Sequence, residues 1–390
     1  MALRILAVGV GLTHYYNHLL NRLQSDLGAA VDLIVASGGR GHVGEGVFQT
    51  ARGIEFRTHP AREWVALGSY RSFAGLAGSI RRFRPDIVLA GAEHLPAFAL
   101  EPLVRAALAT TGAGLLVKSI PFRLPRYQEA LATVPRGVRG LLRRALVELR
   151  ASTFRFAGAH ILHVAEGVEI YRSWGVAPGR IFVAGNSPDT DRLFLARERI
   201  AQAAPVLPDN PHRLIHIGRL VEWKRVDLLI EALADLRRTL PGAELVVVGE
   251  GPEAPRLKEL ARTLGVAGSV RFAGGVYEPE ELGRYLLASA VYVLAGMGGL
   301  SINDAMCFGK PVVCSVCDGT EKLLVREGFN GSYFQAGDRS SLAAAINGIL
   351  QDPERCRQMG ERSLAIVRDE VNIHTVIATY RRAIEFLRSR

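Results

Sequence analysis

The sequence predicts an α/β protein made of two doubly wound, parallel-sheet domains. Three observations predict it. Apolar runs of strand length alternate with helix-periodic segments along the chain. The alternation breaks once, at a stretch rich in Ala, Pro and Asn, and then restarts. The 41 glycines recur at the ends of the apolar runs, where a parallel sheet turns into its helices. At 390 residues the chain exceeds one ordinary domain, for which roughly 150 residues is the prior.

The elements follow in order. Arg4 to Val10 is a buried-type strand ending in Gly9-Val-Gly11-Leu-Thr-His14, and a dinucleotide fingerprint needs Gly where His14 stands, so that motif fails. Tyr15 to Leu27 carries Leu19, Leu20, Leu23 and Leu27 at helical spacing. Val31 to Ala36 is the second strand, and the glycine-rich stretch Gly38 to Gly46 after it is expected to be a mobile loop near a site. A helix over Phe73 to Phe83 leads to strands Ile87 to Ala90 and Gly114 to Lys118. Ala159 to Val164 and Ile181 to Ala184 complete a first domain of residues 1–198. Residues 199–213, with Pro205, Pro208 and Pro211, read as a linker. In the second domain, 214–370, strands at 214–217, 245–248, 270–272, 291–294 and 311–313 alternate with helices at 227–240, 253–264, 279–287, 301–308 and 339–350. The last periodic segment, within 371–390, follows a completed domain and is free to pack back on the first.

Composition narrows the class. A chain 48% hydrophobic and 22% charged is a packed globular protein. No apolar run approaches the ~20 residues of a spanning helix, and the N-terminus reads as a strand and not a signal peptide. Four cysteines lack the spacing of a disulfide framework, and the lone Cys314-x-x-Cys317 has no second Cys/His pair, so no metal site is expected. A reducing cytoplasm is the simplest setting. The net charge of +10 is uneven: residues 1–195 hold 23 Lys/Arg against 14 Asp/Glu, and the remainder 25 against 24. The first half therefore expects an anionic partner. Val134 to Phe156 carries six Arg and one Glu beside a stripe of Leu141, Leu142, Leu146 and Leu149. Arg136, Arg139, Arg143, Arg144 and Arg150 give it the pattern of an interfacial helix on anionic lipid, which puts the protein at the inner membrane face. The competing expectation is a surface helix whose leucines face the core. Nucleic acid is disfavoured, because stacking aromatics are scarce here and no nucleic-acid motif occurs.

The chemistry gathers in the second half, where four glycine turns each end a strand. Gly218-Arg219 with Lys224 puts two cations over a close backbone approach, which suits a diphosphate. Gly249-Glu250-Gly251-Pro252 is the second turn. The third, Phe272 to Tyr277, offers backbone near Val276 and Tyr277 to a base edge. In the fourth, Gly296-Met-Gly298-Gly299-Leu300-Ser301, glycines run into a helix whose N-terminus is an anion site, and Asp304 one turn inside is placed to accept from a vicinal diol such as ribose. A cleft between two such domains is where a ligand would sit.

These motifs resemble the retaining GT-B glycosyltransferases of family four. G-R-L-x-x-x-K-x-x-D at 218–227, V-V-G-E-G-P-E at 247–253, V-R-F-A-G at 270–274 and G-L-S-I-N-D-A-M-C-F-G-K-P-V-V at 299–313 carry the resemblance, while residues 1–195 fit at the level of architecture. It implies a nucleotide-diphosphate sugar donor, with diphosphate on Arg219, Lys224 and the turn at Gly298 to Ser301, the base near Val276 and Tyr277, and ribose on Asp304. It implies transfer with retention and no metal or other cofactor, to an acceptor held by the N-terminal domain. With the basic helix, a lipid-linked or cell-envelope glycan is the expected acceptor. Two departures stand out. The family often has two glutamates eight positions apart in the fourth motif, and here Gly296 replaces the first and Asp304 the second. The family also often has a His after the strand matching Gly114 to Lys118, where this chain reads Lys118-Ser-Ile-Pro121. His94 and His14 remain as catalytic candidates, with Lys118 behind them. The alternatives are a catalytically weakened nucleotide-sugar-binding scaffold and a sugar-nucleotide epimerase of the same architecture.

Overall fold

The computed structural model describes residues 2–9, 11–37, 48–66, 70–121 and 124–390. The predicted loop Gly38 to Gly46 lies outside them. The chain divides into two compact units, residues 1–185 with 374–390, and residues 186–373.

Among the described residues the first unit holds nine strands: β1 Arg4–Gly9, β2 Ala30–Ala36, β3 Arg57–Ala61, β4 Glu63–Ala66, β5 Tyr70–Phe73, β6 Ile87–Gly91, β7 Gly114–Ser119, β8 Ala159–Leu162 and β9 Ile181–Val183. Seven form one parallel sheet in the order β3-β2-β1-β6-β7-β8-β9, while β4 and β5 pair antiparallel as a separate hairpin. The hairpin and β3 were not legible in the sequence. β3 reads Arg-Thr-His-Pro-Ala, an edge strand without apolar alternation, and Pro60 is tolerated there because an edge leaves one side unpaired. Phe73, expected to open a helix, ends β5, and the helix begins at Leu76.

The second unit holds β10 Arg213–Ile217, β11 Glu244–Val248, β12 Val270–Gly274, β13 Val291–Leu294, β14 Val312–Cys314 and β15 Gly331–Tyr333. All are parallel, in the order β12-β11-β10-β13-β14-β15. Alternate residues of each strand face opposite ways, so the sheet has a core on both sides. Leu214, Leu245, Val247, Val291 and Val293 pack under helices Val226–Leu236 and Arg339–Leu350. Ile215, Ile217, Val246, Val248, Tyr292 and Leu294 pack on the other face with helices Pro279–Leu287 and Ser301–Cys307. Burial on both faces is why these strands read as continuous apolar runs.

The boundary differs from the expected one at 198. Helix Thr190–Arg199 docks Leu193 and Ala196 into the second unit's core, and Ile200 and Leu207 of the expected linker follow them. Arg213, at the linker's end, is the first residue of β10 and pairs with Glu244 at 2.9 Å. The C-terminal helix Ile373–Arg388 returns to the first unit, where Phe386 meets Phe182 edge-on at 5.7 Å and Arg381 donates to the Asp26 carbonyl at 2.9 Å.

Candidate functional site

Strand order in the second sheet reverses between β10 and β13, and open α/β sheets bind ligands beyond the carboxyl ends of the strands at such a point. The loops there are tied to one another. Gly218 N–H donates to Val248 O at 2.9 Å, Leu220 N–H to Glu250 O at 2.8 Å, and Gly249 N–H to Gly274 O at 2.7 Å. The ladder of β12, β11 and β10 thus continues past the sheet as a backbone shelf. Two glycines permit this approach: a Cβ at Gly249 would stand 1.9 Å from Gly218 O, and one at Gly251 would stand 2.2 Å from Leu220 O. On the shelf, Glu250 accepts from Gly275 N–H at 3.2 Å. Tyr277 folds over Gly275, where a Cβ would come 2.9 Å from its ring, and stays 48% exposed. Val276 is partly buried against the core.

The cations are held differently from each other. Arg219 is partly exposed and stacks over Trp223 at 5.6 Å, a platform that orients the guanidinium. Lys224 is buried on the turn Glu222–Lys224 and donates to Met297 O at 2.8 Å and Gly298 O at 2.6 Å. Two of its three protons therefore hold the fourth glycine turn in place, and no protein acceptor takes the third among the described residues. Burial, with the Arg219 charge beside it, pulls the ammonium down to about 8. His216 lies under the pair, its Nδ1 donating to Val293 O at 3.1 Å, and burial keeps it neutral by lowering its pKa to about 4.

Gly296, where the family often has its first glutamate, is sterically required. A Cβ there would lie 2.2 Å from Trp223 O, and Met297 N–H already bonds that carbonyl at 2.9 Å. The helix that follows, Ser301–Cys307, starts where expected but is seven residues long. Two turns make a weak dipole, so side-chain cations and loop N–H groups carry more of any anion binding than the sequence implied. Ser301 is fixed by a 2.7 Å bond between its hydroxyl and that of Tyr292. Asp304 sits one turn in, and burial pushes its carboxyl up to about 7. Gly299 and Leu300 line a small cavity with Asn186, Asn303 and Thr320.

A fifth loop was missed. After β14, Cys317-Asp318-Gly319-Thr320-Glu321 also ends a strand with a glycine, the same signal used for the other four. Glu321 is buried and accepts from Cys317 N–H at 2.5 Å and Gly319 N–H at 3.2 Å. The Coulombic field of Asp318 reaches Lys224 and works against the depression of its pKa.

In the first unit the two histidines expected to be catalytic sit in different settings: His94 is enclosed, and His14 has its ring 6.0 Å from that of Phe48. His94 is fully buried, stacked on Phe73 at 5.3 Å, with both ring nitrogens lacking a hydrogen bond among the described residues. Burial lowers its pKa, while Glu93 Oε1 at 3.6 Å from Nδ1 and Glu63 Oε1 at 3.9 Å from Nε2 act against that shift. The apolar run Leu95 to Phe98 behind it pulls the residue into the core. His14 is exposed at the first position of helix His14–Leu27. Lys118, at the end of β7, lies over the Tyr16 ring at 5.2 Å, and burial pulls it down to about 8.

Helix Val138–Phe156 settles which way its leucines point. Leu141 is 69% exposed, Leu142 66%, Leu146 56% and Leu149 43%, and Val138 stands 85% exposed at its start. Only Gly140, Ala151, Thr153 and Phe154 are buried. Arg136, Arg139, Arg143 and Arg144 are exposed beside the leucines. Arg150 differs from them, since its guanidinium lies over Trp174 at 5.5 Å and Phe154 at 5.9 Å. Among the described residues no helix is long and apolar enough to cross a membrane.

Comparison with known proteins places this geometry. Residues 198–365 match the family model "Glycosyl transferases group 1". The chain is 30% identical over 239 residues to D-inositol 3-phosphate glycosyltransferase 2 of Catenulispora acidiphila, covering 57% of this chain and 56% of that protein. It is 32% identical over 184 residues to the GDP-mannose-dependent alpha-(1-6)-phosphatidylinositol monomannoside mannosyltransferase of Mycolicibacterium smegmatis, covering 45% and 46%. The chain thus spans about half the length of the curated relatives it matches. The crystal structure of Anabaena Alr3699/HepE in complex with UDP superposes with a TM-score of 0.68 at 18% identity, covering 98% of each chain. The chain has the GT-B fold of two Rossmann-like domains, and its residues 198–365 are similar to the glycosyl transferases group 1 family.

Proposed function

We propose that this chain is a glycosyltransferase that moves a sugar from a nucleotide-diphosphate sugar to an acceptor, with retention of anomeric configuration and without a metal. The observation that carries the reading is the shelf at the strand-order reversal, where the Arg219 charge stands beside Lys224 and Lys224 Nζ holds the Gly298–Gly299 turn. A diphosphate fits that chemistry, and its charge grows as the glycosidic bond to the donor breaks. Cations fixed in advance, one by stacking and one by two carbonyls, stabilise that charge with no reorganisation. The base lies over Gly275 beside Tyr277, and the ribose hydroxyls donate to Asp304. Solved relatives of the same fold are named as complexes with UDP and with UDP-glucose, which supports a nucleotide donor. The steric need for Gly296 speaks against a decayed scaffold, because the backbone is shaped around the missing side chain.

The acceptor in this reading is a lipid-linked or cell-envelope glycan, and the protein works as a peripheral protein on the inner membrane face. The outward leucines and arginines of helix Val138–Phe156 support it, as do relatives named for phosphatidylinositol mannoside and lipopolysaccharide core synthesis. Incubation with a panel of UDP-, GDP- and ADP-sugars tests the donor half. Slow release of free sugar from one of them is expected, abolished in Arg219→Ala. An isomerised donor with no sugar released would instead establish an epimerase.

A further inference from the structure

We propose that Asp318 binds hydroxyls of the donor's sugar, supplying from the loop after β14 the carboxylate that position 296 has no room to carry. The assignment rests on the donor reading above and concerns the sugar half of that site.

Three observations carry it. First, Asp318 closes the glycine turn from the side opposite Lys224. A Cβ placed on Gly298 would lie 3.5 Å from each Asp318 carboxylate oxygen, whereas one on Gly299 would lie 3.3 Å from Lys224 Nζ. The space those two glycines leave open is thus bounded by one carboxylate and one ammonium.

Second, the carboxylate is aimed. Asp318 Oδ1 accepts from Thr320 N–H at 2.9 Å and from the Thr320 hydroxyl at 2.5 Å, while no protein donor bonds Oδ2 among the described residues. The peptides on either side of Asp318 are pinned by the buried Glu321, which takes the N–H groups of Cys317 and Gly319.

Third, the placement opposes diphosphate binding taken alone. A second negative charge beside Lys224 repels an incoming diphosphate and weakens the clamp. A carboxylate oxygen is a strong acceptor for neutral hydroxyl donors, and a sugar attached to that diphosphate presents several. The arrangement therefore discriminates a nucleotide sugar from the bare nucleoside diphosphate that remains after transfer, holding the one and helping release the other.

The test compares binding of matched pairs, UDP with UDP-glucose and GDP with GDP-mannose, to the full chain and to Asp318→Asn by calorimetry. The asparagine keeps an acceptor for Thr320 and removes the charge. The expected result has opposite signs: the bare diphosphate binds as tightly or several-fold tighter, while its sugar conjugate weakens by about tenfold or more, the scale of a lost charge-assisted bond. Retained diphosphate binding in the variant reports an intact fold. Equal weakening of both members, or no change in either, overturns the assignment. A wild-type chain that binds neither pair, nor any sugar of the UDP-, GDP- and ADP-sugar panel, removes the donor reading itself, and this assignment with it.

Discussion

Asp304→Asn should stabilise the protein and weaken its hold on a nucleotide sugar, with both effects depending on pH. Burial raises the Asp304 carboxyl from the ordinary 3.8 to about 7. The fold therefore disfavours the ionised form, which the unfolded chain adopts freely. The linkage has a definite sign: an unfolded carboxyl loses its proton near 3.8, so wild-type stability falls as pH rises from there to about 7 and is level above it. A shift of this size, at about 1.4 kcal/mol per pH unit, has a ceiling of roughly 4 kcal/mol above pH 7. Asparagine avoids that penalty at every pH. Its advantage should grow by about 2–3 kcal/mol between pH 5 and pH 8, from the same linkage relation. Urea denaturation of both proteins at pH 5, 6, 7 and 8 measures it. A difference that is constant across the four pH values, or largest at pH 5, refutes the reasoning. Donor binding should move the other way. A nucleotide sugar carries no phosphate group that titrates near neutrality, so between pH 5 and pH 7, below the range in which Lys224 titrates, an affinity that rises in the wild type and is flat in Asp304→Asn reports the carboxylate's ionisation. A residue that costs stability and is kept for binding is the usual signature of a functional site.

Other outcomes follow from the same geometry. Nucleotide-sugar affinity should fall above pH 8, by up to about tenfold per unit, as the Lys224 ammonium loses its proton, because an anion favours the charged form that exists below about 8; affinity unchanged from pH 8 to 10 would exclude a direct role for it. Arg219→Ala should cost about tenfold or more in the same titration, the worth of one charge-assisted bond, with the melting temperature unchanged. Gly296→Ala should destabilise by about 1–3 kcal/mol through the clash with Trp223 O; a neutral result by thermal melt would show that the missing glutamate is an accident of sequence. Replacing Arg139, Arg143 and Arg144 together by Glu should lower partition onto anionic vesicles by roughly 100-fold in sedimentation, at about 1 kcal/mol per basic residue. Leu141, Leu142 and Leu146 to Ser should lower it on neutral vesicles too, without loss of melting temperature, because all three are exposed.

How much was legible depended on how local the cause was. Glycine turns at strand ends show in sequence because backbone conformation and close approach are local demands, and so Gly218, Gly249, Gly251, Gly298 and Gly299 could be named from spacing alone. Both-face burial made the second sheet equally plain, since its strands read as apolar runs. Edge strand β3 and the hairpin β4–β5 had no such signal, as their residues face water on one side. The boundary was misplaced because proline content marks an irregular path and not where its apolar residues dock: Leu193, Ile200 and Leu207 pack on the second sheet.

By itself, then, the sequence determined two doubly wound domains and the four glycine turns at strand ends that carry Arg219, Lys224 and Asp304. The tertiary structure decided what those residues are free to do. Burial shut His94 away, two carbonyls took most of Lys224, and the approach of Trp223 left no space for a side chain at Gly296. It turned the leucines of Val138–Phe156 outward and brought Asp318 to the glycine turn. Apart from the outward leucines, each of these is a contact between residues distant in the chain. Periodicity records which face of an element is apolar, but only packing decides what that face meets.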